Sequence, residues 1–330
     1  MSVQIVKPGT QIDFIGRWKI CVAVSLLLIG SGLVGVLTQG FRLGIDFAGG
    51  TEVQVRFHQG VEVGEDEIRA VLNMLDIENP SVIRYGADAD NEYLIKFRGE
   101  RRIETGEGEV QTGPLDATND RIMALGAALD QEIGAHDRQR VEFVGPKVGA
   151  ELRDDGLRAL GIASLLILVY VAFRFSTRFA PGAVVALIHD VSITASLWVL
   201  MGLEFDLRVL AALLAIIGYS LNDTIIVYDR IRENMERRTK HDLVDVLNRS
   251  INQTLSRTLL TSFTTLGAVL SLLFLGGDVV RPFALAMTIG VVVGTYSSVY
   301  IAGPTLLWLE SRYGDTSGPA PKKKARQATA

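Results

Sequence analysis

Two aspartates fall inside apolar stretches of this sequence that are long enough to cross a bilayer. Asp190 lies in the stretch 183–203, and Asp223 lies in the next one, 209–228. An ionisable residue at bilayer depth costs about 2.5–3.5 kcal/mol on insertion scales, so such residues usually mark an ion or proton pathway. Proton transfer is therefore the first chemistry that the sequence suggests.

Polar side chains accompany both aspartates. His189 precedes Asp190, and Asn222 precedes Asp223, whose helical face also holds Tyr219. The two stretches run in opposite directions, and at 1.5 Å per residue both aspartates lie about 10 Å from the same membrane surface. We expect the two carboxyl groups to share one cavity.

A basic residue at the start of the next apolar stretch offers a counter-charge. Arg257 and Thr261 fall on one helical stripe, at i and i+4. Apolar surroundings favour a neutral carboxyl group and a guanidinium favours the anion, so an aspartate that gains and loses contact with Arg257 would bind and release a proton. The predicted relay is Asp223, Arg257 and Asp190, and the supporting polar residues are Asn222, His189, Tyr219 and Thr261.

A structural role accounts for the same residues without transport. Asp223 and Arg257 could form a static ion pair, with Ser and Thr side chains joining the helices. Arg257 could instead extend to the phosphate level, and His189 could be a hydrogen-bonded core residue. The matched depth of the polar groups favours transport over this alternative.

Six apolar stretches must position these residues, and each is close to the ~20 residues that a spanning helix needs. The first follows a polar segment and lacks a cleavage pattern, which predicts a retained signal-anchor. Lys and Arg are concentrated in the short flanks on one side, which predicts cytoplasmic termini and an external block 39–156. The stretches are 20–37, 157–175, 183–203, 209–228, 259–275 and 283–309.

The external block is acidic, with 24 acidic and 13 basic residues. Its hydrophobic periods follow the order βαββαβ, which is that of a ferredoxin-like α+β module. A glycine- and glutamate-rich insert, 99–114, interrupts them. The predicted strands are 51–57, 81–85, 92–98 and 140–144, and the predicted helices are 65–75 and 118–133.

The predicted fold class is thus a polytopic α-helical membrane protein with six transmembrane helices and this α+β domain between the first and second spans. A basic tail at the C-terminus is predicted to be disordered, either solvated or in weak contact with anionic lipid. The predicted division is a cytoplasmic tail 1–19, the first helix 20–38, the external domain 39–156, a five-helix bundle 157–310 with a cytoplasmic loop 229–257, and the tail 311–330.

The composition excludes several classes of protein. With 48% hydrophobic and 21% charged residues and a mean hydropathy of +0.28, the chain is not an ordinary cytosolic enzyme. The single Cys21 cannot form an internal disulfide, and His58 and His136 lack metal-ligand spacing. We expect no catalytic residues, no metal or cofactor and, since the hydrophilic block is acidic, no nucleic-acid partner.

Several motifs resemble those of one known family. The sequence is similar to the SecF family, the smaller subunits of the SecD-SecF complex that assists bacterial protein export, within the resistance-nodulation-division superfamily. Tyr228 stands where Phe is commoner in that family. The motifs are GIDFAGGT at 44–51, VGPKVG at 144–149, ALIHDV at 186–191, GYSLNDTIIVYDRIREN at 218–234 and SRT at 256–258.

The resemblance implies an inner-membrane protein with a periplasmic domain after the first span. It implies pairing with SecD, association with the SecYEG channel, a preprotein substrate and use of the proton-motive force, with YajC as a further candidate partner. In the family, residues matching Asp223 and Arg257 serve the proton pathway. Two other functions stay open: a structural membrane scaffold, and proton-driven efflux of small molecules.

Overall fold

The computed structural model describes residues 7, 10–58, 60–61, 63–77, 80–86, 90–97, 114–174, 179–236 and 242–313. The predicted insert lies outside these residues up to position 113, and the predicted tail lies outside them from position 314. In chain order the elements are α1 (Trp18–Gln39), α2 (Ile45–Ala48), β1 (Gly50–Phe57), α3 (Glu65–Met74), β2 (Ser81–Tyr85), β3 (Glu92–Phe97), α4 (Pro114–Glu132), β4 (His136–Val144), α5 (Pro146–Arg174), α6 (Ala180–Leu200), α7 (Leu207–Glu236), α8 (Leu243–Leu275), α9 (Arg281–Ser297), a π-helical turn (Ser298–Ala302) and α10 (Gly303–Tyr313).

Six helices of the described chain are long and apolar enough to cross a membrane: α1, α5, α6, α7, α8 and a last span that runs from α9 through the π turn into α10. The chain is therefore built as a multi-pass membrane protein. The centre of the bundle consists of α6, α7 and the last span, which are more buried than α1, α5 and α8. The two intramembrane aspartates lie on the central helices α6 and α7.

Several helices extend beyond the apolar stretches that predicted them. Helix α5 begins at Pro146, a residue type tolerated in the first turn because its missing N–H is not needed there. Helix α8 begins at Leu243, after Asp242, whose carboxylate accepts a hydrogen bond from the Val244 N–H at 3.3 Å. Within the predicted loop 229–257, residues 229–236 continue α7 and residues 243–257 begin α8. Hydropathy marks only the apolar part of a helix, so it does not reveal polar ends of this kind.

The last span is not one continuous α-helix, as the apolar stretch suggested, because a π-helical turn separates α9 from α10. Pro304 stands two residues after that turn and cannot donate a backbone N–H, so the regular hydrogen-bond ladder must change there. Single π turns of this kind occur frequently at functional sites.

The α+β domain between the first and second spanning helices contains a four-stranded antiparallel sheet in the order β2-β3-β1-β4. Alternate residues of β1, among them Val53, Val55 and Phe57, are buried in a core that Ile68 of α3 and Leu129 of α4 complete. Strand β4 begins at His136, four residues earlier than predicted. Its first residues pair with β1 through the backbone, but their side chains are polar and show no hydrophobic period, so the sequence pattern missed them.

Charged and backbone contacts fix the external domain on the bundle. Lys96 of β3 lies 2.5 Å from the Glu204 carboxylate, in the α6–α7 connection, and 3.4 Å from that of Glu52. Burial lowers the pKa of a lysine, but the charges and hydrogen bonds of Glu204 and Glu52 outweigh it and raise the pKa of Lys96. The Gly44 N–H also donates to the Phe205 carbonyl at 2.9 Å, so the domain and the bundle share one polar junction.

Candidate functional site

Asp190 is the centre of a hydrogen-bonded cluster in the middle of the bundle. Its side chain is 1% exposed. His189 Nδ1 lies 2.8 Å from its Oδ1, while its Oδ2 accepts from the Ser297 hydroxyl at 2.8 Å and from the Ser220 hydroxyl. These donors come from α6, α7 and α9, so the carboxyl group ties the three central elements together. Both of its oxygens have partners.

The cluster continues from His189 toward α1. His189 Nε2 lies 2.8 Å from the Ser25 hydroxyl, which in turn lies 3.3 Å from the Tyr296 hydroxyl. Tyr296 donates to the Cys21 carbonyl at 2.7 Å, and its ring stacks on that of His189 with centroids 6.0 Å apart. Hydrogen-bonded groups therefore connect α1 to Asp190 across the bundle.

Asp223 has very different surroundings. It is also 1% exposed, yet within the described part of the chain neither of its carboxyl oxygens has a hydrogen-bond partner. The Thr261 hydroxyl of α8 lies beside it but donates to the Thr258 carbonyl instead, and the charge of Arg257 acts on it from the same helix. The Arg257 side chain is exposed, and no ion pair joins it to Asp223 among the described residues. The predicted counter-charge is thus near Asp223 but is not bonded to it.

The other predicted supporting residues are dispersed. Asn222 is exposed on α7, because adjacent helical residues point in directions about 100° apart. The Tyr219 hydroxyl donates to Ser262 at 3.4 Å, and the Thr261 hydroxyl donates to the Thr258 carbonyl at 2.9 Å. Among the described residues no hydrogen bond joins the two aspartates. Asp190 bonds to groups of α6, α7 and α9, and Asp223 faces α8.

Four residues of the Asp190 cluster were not anticipated from the sequence. They are hydroxyl-bearing side chains inside apolar stretches, where a polar group needs a partner. Ser297 lies in the polar run 295–298, which is a usable signal within the last span. Their convergence depends on how four helices are rotated, which spacing along one helix does not give. The four residues are Ser25, Ser220, Tyr296 and Ser297.

The chemistry available to these groups is proton exchange. Carboxyl, imidazole and hydroxyl groups can all hold or pass a proton. Among the residues that the structure describes, no group of three His, Cys, Asp or Glu side chains could hold a metal ion.

Comparison with known proteins identifies relatives along nearly the whole chain. The family model described as "Protein export membrane protein SecD/SecF, C-terminal" matches residues 125–312, and the "SecD/SecF GG Motif" matches residues 34–61. The protein translocase subunit SecF of Gemmatimonas aurantiaca is 39% identical over 98% of this chain and 94% of its own. That of Pseudomonas aeruginosa is 40% identical over 96% and 97%.

Solved structures show the same architecture. A crystal structure of SecDF, a translocon-associated membrane protein from Thermus thermophilus, is 37% identical with a TM-score of 0.79. It matches 92% of this chain, which spans 39% of that longer protein. SecDF in a super-membrane-facing form matches 94% of this chain with a TM-score of 0.66.

Proposed function

Because the chain belongs to the SecF family of protein translocase subunits, we propose that it is a non-enzymatic subunit of the bacterial protein-export machinery, driven by the proton-motive force. In this proposal Asp223 and Arg257 exchange a proton as the bundle changes conformation, and Asp190 is the second carboxyl group of the relay. Their polar neighbours Asn222, His189, Tyr219 and Thr261 support that exchange.

The main support for this proposal is that the buried Asp223 carboxyl group lacks hydrogen-bond partners among the described residues. A buried carboxylate is costly unless it is paired and hydrogen-bonded, and this one has no hydrogen-bond partner among the described residues. The nearby guanidinium of Arg257 is exposed and unpaired with it. A carboxyl group with an available but unengaged counter-charge can change its protonation when the two helices move, which a saturated ion pair cannot do.

The remaining architecture is part of the proposal. The strand order β2-β3-β1-β4, with one helix after β1 and one after β3, supports a ferredoxin-like domain. We place this domain, residues 39–156, in the periplasm and both termini in the cytoplasm of an inner-membrane protein, because Lys and Arg flank the spans on the opposite side. The division into tail, first helix, domain, bundle and C-terminal tail follows from that orientation.

SecD is the proposed partner in the membrane. The solved relatives are named SecDF, and this chain spans 39% of one such chain, which leaves most of that protein for a second subunit. The apolar side chains that α1, α5 and α8 leave exposed are available to lipid or to such a subunit. SecYEG, a translocating preprotein and YajC are further proposed partners, on the basis of the family.

Substituting Asp223→Asn tests the proposal because the amide keeps the shape of the side chain but cannot release a proton. We expect it to abolish gradient-dependent export of a secreted precursor into membrane vesicles while co-purification with SecD persists. Asp229→Asn is the matched control, since Asp229 lies on the same helix but is half-exposed and ion-paired with Arg232 at 3.1 Å. Unchanged export in the Asp223 variant contradicts the proposal.

A structural scaffold is the second candidate function. For Asp190 this role is favoured because both of its carboxyl oxygens already have hydrogen-bond partners. Three donors from three elements engage its carboxyl group, as they would in a purely structural interhelical contact. The scaffold hypothesis expects that Asp223→Asn also disrupts the SecD complex. Loss of co-purification in that variant therefore supports the scaffold over the relay.

A further inference from the structure

Tyr228 of α7 makes a contact that no part of the relay uses. Its side chain is 0% exposed, and its hydroxyl donates a hydrogen bond to the Ala302 carbonyl, 3.0 Å away. Ala302 is the last residue of the π turn in the last span. The ring of Tyr228 packs against Phe179, with centroids 5.3 Å apart. A single buried hydroxyl thus connects α7 to the irregular turn.

Helix α6 leaves room for this hydroxyl at Gly182. A Cβ atom added at Gly182 would stand 2.1 Å from the Tyr228 hydroxyl oxygen and 3.2 Å from the Ala302 carbonyl oxygen. A contact of 2.1 Å is far inside van der Waals distance, so this position requires glycine while Tyr228 is present. Three elements, α6, α7 and the π turn, therefore meet at one hydrogen bond.

The same three parts of the bundle meet a second time at Asp190. Ser220 of α7 and Ser297, the residue before the π turn, both donate to its Oδ2. Eight residues separate Gly182 from Asp190, and eight separate Ser220 from Tyr228, so the two meeting points are about 12 Å apart. On the last span, the two meeting points are Ser297 and Ala302, and only the first four residues of the π turn lie between them.

The π turn decides which way Ser297 points relative to α10. Each residue of an α-helix turns the chain by about 100°, so loss of the extra residue of a π turn rotates one side of it against the other. Pro304 cannot donate a backbone N–H to a carbonyl one turn earlier, so the regular backbone ladder is interrupted within this turn. Tyr228 adds a donor from another helix at Ala302, the last carbonyl of the turn.

We infer that Tyr228 is a positioning residue whose hydroxyl fixes the π turn and thereby holds Ser297 on the Asp190 carboxyl group. The inference rests on the proposed function only in treating Asp190 as part of the relay. A Phe at this position fills the same space but leaves the Ala302 carbonyl without the tyrosine donor.

A double-mutant cycle tests the contact between Gly182 and the Tyr228 hydroxyl. We expect Gly182→Ala to lower the thermal stability of the full chain strongly, and Tyr228→Phe to lower it slightly. The double variant should be more stable than Gly182→Ala alone, because removing the hydroxyl makes room for the methyl group. Additive losses in the double variant would overturn the arrangement.

An infrared measurement tests the positioning. The carboxyl band of Asp190 is obtained in the full chain in lipid bilayers as the difference from the matching Asp190→Asn variant. We expect Tyr228→Phe to shift this band in the direction that Ser297→Ala shifts it, because both changes remove the Ser297 hydrogen bond from Oδ2. His189 bonds to the other oxygen, so its contact is retained.

Tyr93→Phe is the matched control. The Tyr93 hydroxyl is also buried and donates to a backbone carbonyl, that of Val63 at 2.6 Å, but it lies in the external domain. Its loss should leave the Asp190 band unchanged. A Tyr228→Phe protein that folds with an unshifted band, while Ser297→Ala shifts it, overturns the inference.

Export measured on the same Tyr228→Phe protein separates the inference from the proposed function. A shifted band with reduced gradient-dependent export supports both. A shifted band with normal export supports the positioning role and contradicts a part for Asp190 in the relay. An unshifted band overturns the positioning role whatever the export activity.

Discussion

Asp190 and Asp223 occupy neighbouring helices of one bundle and are equally buried, yet their surroundings are opposite. Asp190 has a partner on each oxygen, drawn from three elements, whereas Asp223 has none among the described residues. Depth in the membrane identified both residues as candidates but did not distinguish their roles. The hydrogen-bond partners around the two carboxyl groups do differ, and such donors stabilise a buried carboxylate in place.

The Asp190 carboxyl group joins three elements by hydrogen bonds, whereas the Asp223 carboxyl group has no such bonds among the described residues and is the one that we propose to exchange a proton with Arg257. Removing Asp190 breaks three hydrogen bonds, while removing Asp223 breaks none that the described residues make. Arg257 acts on Asp223 without being bonded to it, so the proposed exchange requires the two side chains to come closer.

The largest predicted difference is in stability. We expect Asp190→Ala to lower the free energy of unfolding by about 3–5 kcal/mol, because it leaves the buried His189 and Ser220 groups without their partner, at about 1–3 kcal/mol each. Asp223→Ala should change it by no more than about 1 kcal/mol, the typical effect of a single substitution. Unfolding of the purified protein in mixed micelles measures both variants. Equal losses would remove the distinction between the two sites.

Outside the membrane-spanning helices, Lys96 resembles Asp190 in having several partners, since its ammonium group contacts the carboxylates of both Glu204 and Glu52. We expect Lys96→Met to lower the free energy of unfolding by about 1.5–3 kcal/mol, the contribution of hydrogen bonds to charged groups. Lys147→Met, at an exposed position, is the control. A loss no larger than that of the control would mean that the junction contributes little.

The same junction has a predicted pH dependence. The folded protein raises the pKa of Lys96 above its ordinary value of 10.5, so the junction stabilises the protein fully below pH 10.5. That contribution is lost as the pH rises through the raised value. Unfolding measured from pH 8 to pH 12 should therefore show a decline that Lys96→Met lacks; parallel profiles would contradict it.

Single hydroxyl groups around Asp190 should have smaller effects. Ser297→Ala removes one hydrogen bond to the carboxyl group and should cost about 1 kcal/mol. Ser271→Ala is the matched control, because its exposed hydroxyl donates only to the Gly267 carbonyl at 2.8 Å. If the two losses are equal, Ser297 does not support Asp190.

The smallest effect is predicted on α8, at the residue after Arg257. The Thr258 hydroxyl on α8 is buried without a partner among the described residues, so Thr258→Val should be neutral or stabilise by up to about 1 kcal/mol. Thr254→Val, one turn earlier, removes a hydroxyl that donates to the Ser250 carbonyl at 3.1 Å and should destabilise. A clear loss for Thr258→Val would indicate that a partner engages this hydroxyl.

The sequence predicted the elements better than it predicted their contacts. Apolar stretches located the six spanning helices, and alternation located three strands closely, because burial imposes those periods directly. The polar start of β4 and the π turn before Pro304 were missed, since pairing with β1 and a missing N–H leave no hydrophobic signal. Spacing placed Thr261 beside Arg257 but could not reveal that Ser25, 164 residues before His189, completes the Asp190 cluster.

We propose that Asp223 is the carboxyl group that exchanges a proton. The most direct test is the infrared difference spectrum recorded when a proton gradient is imposed on the complex in proteoliposomes. The claim predicts a carboxyl band that disappears in Asp223→Asn. A band that persists unchanged in Asp223→Asn would contradict it.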